Sequence, residues 1–195
     1  MDLKKYIRSI QDYPKKGILF RDITTLIKDE GAFKNCIDQM SKVLTKTNYD
    51  KIAGIESRGF IFSSPLSYNL SKPNLLMRKK NKLPAEKYSE DFELEYGKAT
   101  LEIHKDSIQA KEKIIIIDDL IATGGTAAAA AKLVEKSGGE VAGFIFVGDI
   151  KCPFPCLGRK QTSFSLYFIF KISSEGCPQG VLIFKNSRSL NSSTS

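Results

Sequence analysis

Four consecutive isoleucines, Ile114–Ile117, run into two aspartates, Asp118 and Asp119, and then into Leu120-Ile121-Ala122-Thr123-Gly124-Gly125-Thr126. A β-branched run between Lys113 and Asp118 is the pattern of a strand buried on both faces. Gly124 to Ser137 continues as an alanine-rich helical stretch, and Gly138-Gly139 supplies a C-cap signal. Strand, Gly/Thr turn and helix in immediate succession call for an α/β sheet. In such a sheet, ligands sit beyond the carboxyl ends of the strands. The turn places the N–H groups of Thr123 to Thr126 at a helix N-terminus, where they and the helix dipole favour a phosphate. Gly124 and Gly125 let the backbone approach closely, and Thr123 and Thr126 add hydroxyl donors. Asp118 and Asp119 do not suit a pure phosphate cradle. Carboxylates accept hydrogen bonds from sugar hydroxyls and help to hold a hydrated Mg²⁺. A phosphate on one side and diol-binding acids on the other describe a ribose 5-phosphate site. The competing reading is a tight turn whose acids are solvated caps. The long string Ile114–Thr126 in its strand–turn–helix context favours the site. No Gly-Lys-Ser/Thr follows, so it is not a Walker A loop.

The rest of the chain fits that class. Leu3, Ile7 and Ile10 have helical spacing and predict a short helix ending before Pro14. Phe33, Ile37, Met40, Val43 and Leu44 predict an amphipathic helix over 31–46. Lys51 to Glu56 reads as a strand and Phe60 to Leu70 as a helix, weakened beyond its first turn by Pro65. Asn74 to Arg78 is a second strand. Residues 79–97 are charged and fit a mobile flap or a hairpin. Lys98 to Ile103 alternates as a strand, and Glu140 to Val147 is the next strand. Strands alternating with helices imply a mostly parallel central sheet flanked by helices.

At 195 residues the chain has room for one domain and a small appendage. No stretch approaches the ~20 apolar residues that span a bilayer. Met1-Asp2-Leu3-Lys4-Lys5 lacks an apolar signal core, so a cytoplasmic location without membrane attachment is expected. Of the net charge of +8, residues 151–195 contribute +5, from six Lys/Arg against Glu175 alone. A basic patch suits nucleic acid or a polyphosphate substrate. Without zinc-finger spacing, an aromatic-basic RNA motif or a long basic block, nucleic acid is not expected as a partner. Cys36, Cys152, Cys156 and Cys177 read as free thiols, because the only histidine, His104, lies far from them in sequence. His104 itself sits on an alternating strand and reads as structural. Composition changes near residue 150, where nine serines and a polar end begin. The organisation is therefore 1–150 as the domain and 151–195 as an atypical C-terminal segment, with a Ser-rich end expected to be disordered.

The string from Ile114 to Thr126 resembles the phosphoribosyl pyrophosphate signature of the type I phosphoribosyltransferases. Gly17-Ile18-Leu19-Phe20-Arg21-Asp22-Ile23, Glu56-Ser57-Arg58-Gly59-Phe60, Arg78 to Pro84 and Leu94-Glu95-Tyr96-Gly97 stand in the order seen in the members of that family that take adenine. The resemblance runs from about residue 2 to about residue 147 and implies that family's fold, with a flexible hood over the active site. It implies transfer of the 5-phosphoribosyl group to adenine, giving AMP and pyrophosphate, in a homodimer. Mg²⁺ would accompany the pyrophosphate, with Asp118 and Asp119 touching it at most through water. By the same resemblance, Ala122, Thr123, Gly124, Gly125 and Thr126 take the 5-phosphate, and Asp118 and Asp119 face the ribose hydroxyls. Ser57 and Arg58 belong to a pyrophosphate loop, where a guanidinium pairs well with phosphate oxygens. The plain alternative is a Glu–Arg surface pair. Arg78, Lys79 and Lys82 would also meet pyrophosphate, in part from the neighbouring subunit; otherwise they form a solvated basic face. Phe20 would stack on adenine while Leu19 and Arg21 read its edge, unless Phe20 is simply core. Residues 81–97 resemble the hood. Near its end, Glu95 and Tyr96 occupy the positions of the acid/base and positioning groups, so Glu95, Tyr96 and Arg58 are the catalytic candidates.

The sequence departs from the family after Val147. Leu157-Gly158-Arg159-Lys160 is a faint echo of an expected helix entry, and Phe164 to Lys171 can serve as a strand. The segment is either a divergent version that supplies the last strand or an altered C-terminus, for example from a reading-frame change. Two other functions stay open. One is transfer to hypoxanthine, guanine or xanthine. The other is a non-catalytic sensor of phosphoribosyl pyrophosphate, supported by the basic tail alone.

Overall fold

A computed structural model describes residues 1–94, 97–121, 124–149 and 165–171, the last of these as backbone. After a 3-10 turn at Leu3–Tyr6, a hairpin of β1 (Arg8–Gln11) and β2 (Leu19–Asp22) leads into α1 (Thr24–Ile27) and α2 (Glu30–Leu44). Then come β3 (Lys51–Ile55), α3 (Arg58–Leu70), β4 (Asn74–Lys79), β5 (Lys87–Leu94), β6 (Gly97–His104), β7 (Lys113–Ile121), α4 (Gly125–Lys136), β8 (Glu140–Asp149) and β9 (Ser165–Lys171). Seven strands form the main sheet in the order β5-β6-β4-β3-β7-β8-β9. The strands from β4 to β9 in that order are parallel, and β6 and β5 add an antiparallel edge. This is the mostly parallel α/β sheet expected from the sequence.

The isoleucine run explains the layering. Ile114 and Ile116 pack into a core with Leu133 and Val134 of α4 and with Leu101 and Ile103 of β6. Ile115 and Ile117 pack on the opposite face with Ile37 and Met40 of α2 and Phe62 and Leu66 of α3. Side chains alternate across a strand, so one run feeds both layers. In α3, Pro65 costs a backbone hydrogen bond but does not end the helix, because Phe62 and Leu66 are fully buried around it.

One prediction is overturned. The helix expected from Leu3, Ile7 and Ile10 is only the short 3-10 turn, held by Asp2 accepting from the Lys4 N–H at 3.2 Å. Residues 8–11 are extended and pair antiparallel with residues 19–22. Arg8 pairs with Asp22, and Arg21 donates to Ser9, across the two strands. Pairing and cross-strand polar contacts outweigh a weak local helical period. Of the two readings of 79–97, the hairpin holds for β5 and β6, whose register runs from Lys87↔His104 to Leu94↔Gly97. The strand expected over Phe164–Lys171 is β9, parallel to β8 from Gly143↔Ser165 onward. The rest of 151–195 lies outside the described residues.

Candidate active site

At the carboxyl end of β7 the two aspartates are held differently. Asp119 is 2% exposed, and its Oδ2 lies 3.1 Å from Nε of the half-exposed Arg58. That oxygen has no aligned hydrogen bond, so its acceptor capacity is left over. Asp118 accepts from the Asp119 N–H at 2.9 Å. Burial pushes the Asp118 carboxyl well above the usual carboxylate range, and the neighbouring Asp119 charge adds to it. Burial also raises Asp119, only partly offset by Arg58. Two adjacent acids with one guanidinium between them and solvent are poorly satisfied without a ligand, the kind of perturbation that marks functional sites.

Arg58 and Gly59 open α3, next to that strand end. A Cβ on Gly59 would meet the Ile117 carbonyl oxygen at 2.5 Å and the Asp118 Cα at 3.4 Å. The absence of a side chain is what lets the 56–59 turn approach β7. Ser57 is exposed and makes no side-chain cap bond to the helix. The expected alternative, a Glu56–Arg58 pair, does not form. Glu56 instead accepts from Arg78 Nε at 2.9 Å and from the Lys79 N–H at 2.7 Å. Burial raises the Glu56 carboxyl, but Arg78 and that N–H outweigh it, and the net shift is downward. Arg78 and Lys79 thus border the loop that carries Arg58, and Lys79 and Lys82 are exposed.

On the β2 side, Phe20 is partly exposed, not core. The Arg58 guanidinium carbon lies 5.9 Å from its ring centre, and Tyr13 packs edge-on at 5.1 Å. Leu19 is exposed. Arg21 donates to Ser9 while its Nε is buried without a partner. The structure therefore brings Phe20, Arg58, Asp119 and Asp118 into one continuous group. On the other side of β7, Gly124 caps α4 in a left-handed conformation at φ +83°, which a glycine adopts without steric cost. Gly125 and Thr126 form the first turn of α4. Ala122, Thr123, Glu95 and Tyr96 lie outside the described residues. Among the described residues, no three His, Cys, Asp or Glu side chains gather as a metal cage.

Residues 24–165 match the sequence model of the phosphoribosyl transferase domain. The chain belongs to the phosphoribosyltransferase family. It is 66% identical over 146 residues to the adenine phosphoribosyltransferase of Pelagibacter ubique, covering 75% of this chain and 83% of that one. It is 54% identical to that of Pelodictyon phaeoclathratiforme, covering 90% of this chain and all of that one. Among solved structures, the adenine phosphoribosyltransferase of Thermoanaerobacter pseudethanolicus superposes with a TM-score of 0.80 at 44% identity, over 87% of this chain and 98% of its own. That of Saccharomyces cerevisiae, crystallised with an imino-altritol bisphosphate and adenine, superposes at 0.72 with 37% identity, over 76% and 87%.

Two residues of this phosphoribosyltransferase domain escaped the sequence reading. Tyr13, against Phe20, follows no local pattern that marks it. Glu102, 3% exposed on β6, accepts from the Asn81 N–H at 3.0 Å. Its only signal in sequence is an acid between Leu101 and Ile103, which strand alternation assigns to a solvent face.

Proposed function

We propose that this chain transfers the 5-phosphoribosyl group from phosphoribosyl pyrophosphate to adenine, releasing AMP and pyrophosphate. The observation that carries the reading is the Asp118–Asp119 pair near the end of β7, with Asp119 buried and faced by Arg58, ahead of the glycine-capped start of α4. A ribose with a 5-phosphate fits both halves. The α4 entry, from Ala122 to Thr126, offers N–H groups and hydroxyls to the phosphate. Asp118 and Asp119 accept from the ribose hydroxyls, which satisfies the otherwise unpartnered Asp119 Oδ2.

The remaining roles follow from chemistry. Arg58 with Ser57, Arg78, Lys79 and Lys82 supplies donors and positive charge to the pyrophosphate, which leaves from ribose C1 as its C–O bond breaks. Adenine stacks on Phe20, and Leu19 and Arg21 read its edge. N9 of the base bonds to C1, and its proton departs to a base, the role assigned to Glu95, with Tyr96 positioning the substrates. The β5–β6 hairpin forms the hood that excludes water from an oxocarbenium-like C1. The donor set fits Mg²⁺ only as an ion carried mostly by phosphates and water, which keeps few protein ligands. Asp118 and Asp119 would hold it through water, and its chemistry there is neutralisation of the leaving diphosphate. Residues 1–150 form the transferase domain, and 151–195 an atypical C-terminal segment. The working unit is a homodimer that lends basic residues across its interface, in the cytoplasm. No described helix is long and apolar enough to cross a membrane.

The test is AMP formation from adenine and phosphoribosyl pyrophosphate as Mg²⁺ is titrated. AMP that rises with Mg²⁺ supports the reading, and no AMP from folded protein overturns it.

A further inference from the structure

The turn from β4 to β5 hangs from two carboxylates. Glu56, at the end of β3, holds Arg78 and the Lys79 N–H. Glu102, within β6, holds the Asn81 N–H at 3.0 Å, and Asn81 is left-handed at φ +63°. The sheet register sets Glu102 opposite Arg78 on one side and Ser89 on the other. Its remaining neighbours are looser: Ser89 Oγ at 3.5 Å and Lys87 Nζ at 3.7 Å. A carboxylate this deeply buried is costly unless it is hydrogen-bonded. The partner with the tightest geometry is a main-chain amide of the turn that carries Lys79, Lys80 and Lys82. A carboxyl side chain is no ligand for a diphosphate, so the service of Glu102 to the site runs through that amide.

We infer that Glu102 is a positioning residue for pyrophosphate: through the Asn81 amide it sets the curvature in which Lys79 and Lys82 meet the diphosphate. The inference deepens the assignment of the 78–82 arc to pyrophosphate and rests on it. Glu102 fixes one end of the arc as Glu56 fixes the other.

The experiment is steady-state kinetics on the full chain, with melting curves for every variant. KM for phosphoribosyl pyrophosphate, inhibition by pyrophosphate and KM for adenine are measured for Glu102→Ala, Glu102→Gln, Lys82→Ala and Glu102→Ala/Lys82→Ala. Glu102→Gln keeps an acceptor for the amide and should stay within about twofold of wild type. Glu102→Ala should raise KM for phosphoribosyl pyrophosphate and the inhibition constant for pyrophosphate about tenfold, with KM for adenine within about twofold. Lys82→Ala should cost about tenfold alone but under about threefold on top of Glu102→Ala, because the arc has already moved. If Glu102→Ala does not fold, Glu102→Asp carries the same test, since it keeps the charge and withdraws it by one methylene. Additive effects of Glu102 and Lys82, equal damage by Gln and Ala, or an unchanged KM for phosphoribosyl pyrophosphate in Glu102→Ala would overturn the inference. If Lys79→Ala and Lys82→Ala leave phosphoribosyl pyrophosphate and pyrophosphate binding untouched in the wild-type background, the assignment of the arc itself fails, and this inference falls with it.

Discussion

Asp118 and Asp119 place two acids where burial opposes their charge, and the direction of their pKa shifts makes that a stability statement. Both are raised in the folded state. A raised carboxyl favours folding while it is protonated, and that contribution is lost as pH rises through the folded-state value. At neutral pH the pair therefore destabilises the ligand-free protein, a cost the substrate can offset. Asp118→Asn should raise the melting temperature at pH 7 by about 2–4 °C, equivalent to about 1 kcal/mol. The gain should shrink as the pH is lowered toward and below the ordinary carboxylate range, while transferase activity falls. Thermal melts from pH 4 to pH 8 check both the sign and its pH dependence. Asp22 behaves oppositely. Hydrogen bonds from Thr24 and Arg8 lower it to about 2. Its contribution is present above the ordinary aspartate value and is lost as pH falls toward 2. Because Arg8 is more than half exposed, Asp22→Asn should cost only about 1 kcal/mol at pH 7, measured by urea unfolding, and almost nothing near pH 2. The two aspartates of β7 were legible in sequence because they directly follow an unmistakable isoleucine run. Glu102 was not, since its burial is made by β4, β5 and the 81 turn, three neighbours that strand alternation alone does not reveal.

Among the elements, the contact between α3 and β7 carries most of the site. Gly59 lies in the first turn of a helix, where alanine is intrinsically preferred by about 1 kcal/mol. The Ile117 carbonyl nevertheless leaves no room for a Cβ. Gly59→Ala should therefore destabilise by about 1–3 kcal/mol and separate Arg58 from Asp119, and kcat/KM should fall with stability. Denaturant melts alongside kinetics decide it, and a stabilised, fully active Gly59→Ala would contradict the contact. At this scale the sequence was informative wherever the hydrophobic period was long. Helices α2 and α4 stand within a residue or two of their expected bounds, and β7 starts at Lys113 as expected but runs on to Ile121, three residues past Asp118. It misled at the N-terminus, where three apolar residues fit a helical period by chance and the partner strand, Leu19–Asp22, carries no signal of its own.

For the molecule as a whole, the parallel order β4-β3-β7-β8 puts four strand ends along one edge, and the site lies at the ends of β3 and β7. Strand β5 is tied back to α4 by Lys132 to Glu90 at 2.9 Å and by Lys136 to the Ser89 carbonyl at 3.0 Å. Helix α4, which follows β7, thus also braces the β5–β6 hairpin. On the far side, β9 covers the edge of β8. A chain ending before Ser165 would expose a long apolar strand edge, and it should lose soluble yield and melt lower than the full chain, as expression and thermal melts would show. The parallel sheet was legible from alternating strands and helices. The strand at 165–171 was legible too, as one of two readings of the tail, since its flanks lack the family's usual pattern.

The most direct measurement is pyrophosphate release by the purified full chain with phosphoribosyl pyrophosphate and Mg²⁺, given adenine, hypoxanthine or guanine in turn. Adenine transfer predicts release with adenine and little with either 6-oxo purine. Release with hypoxanthine or guanine in preference to adenine, or none with any base from protein that melts cooperatively, would contradict it.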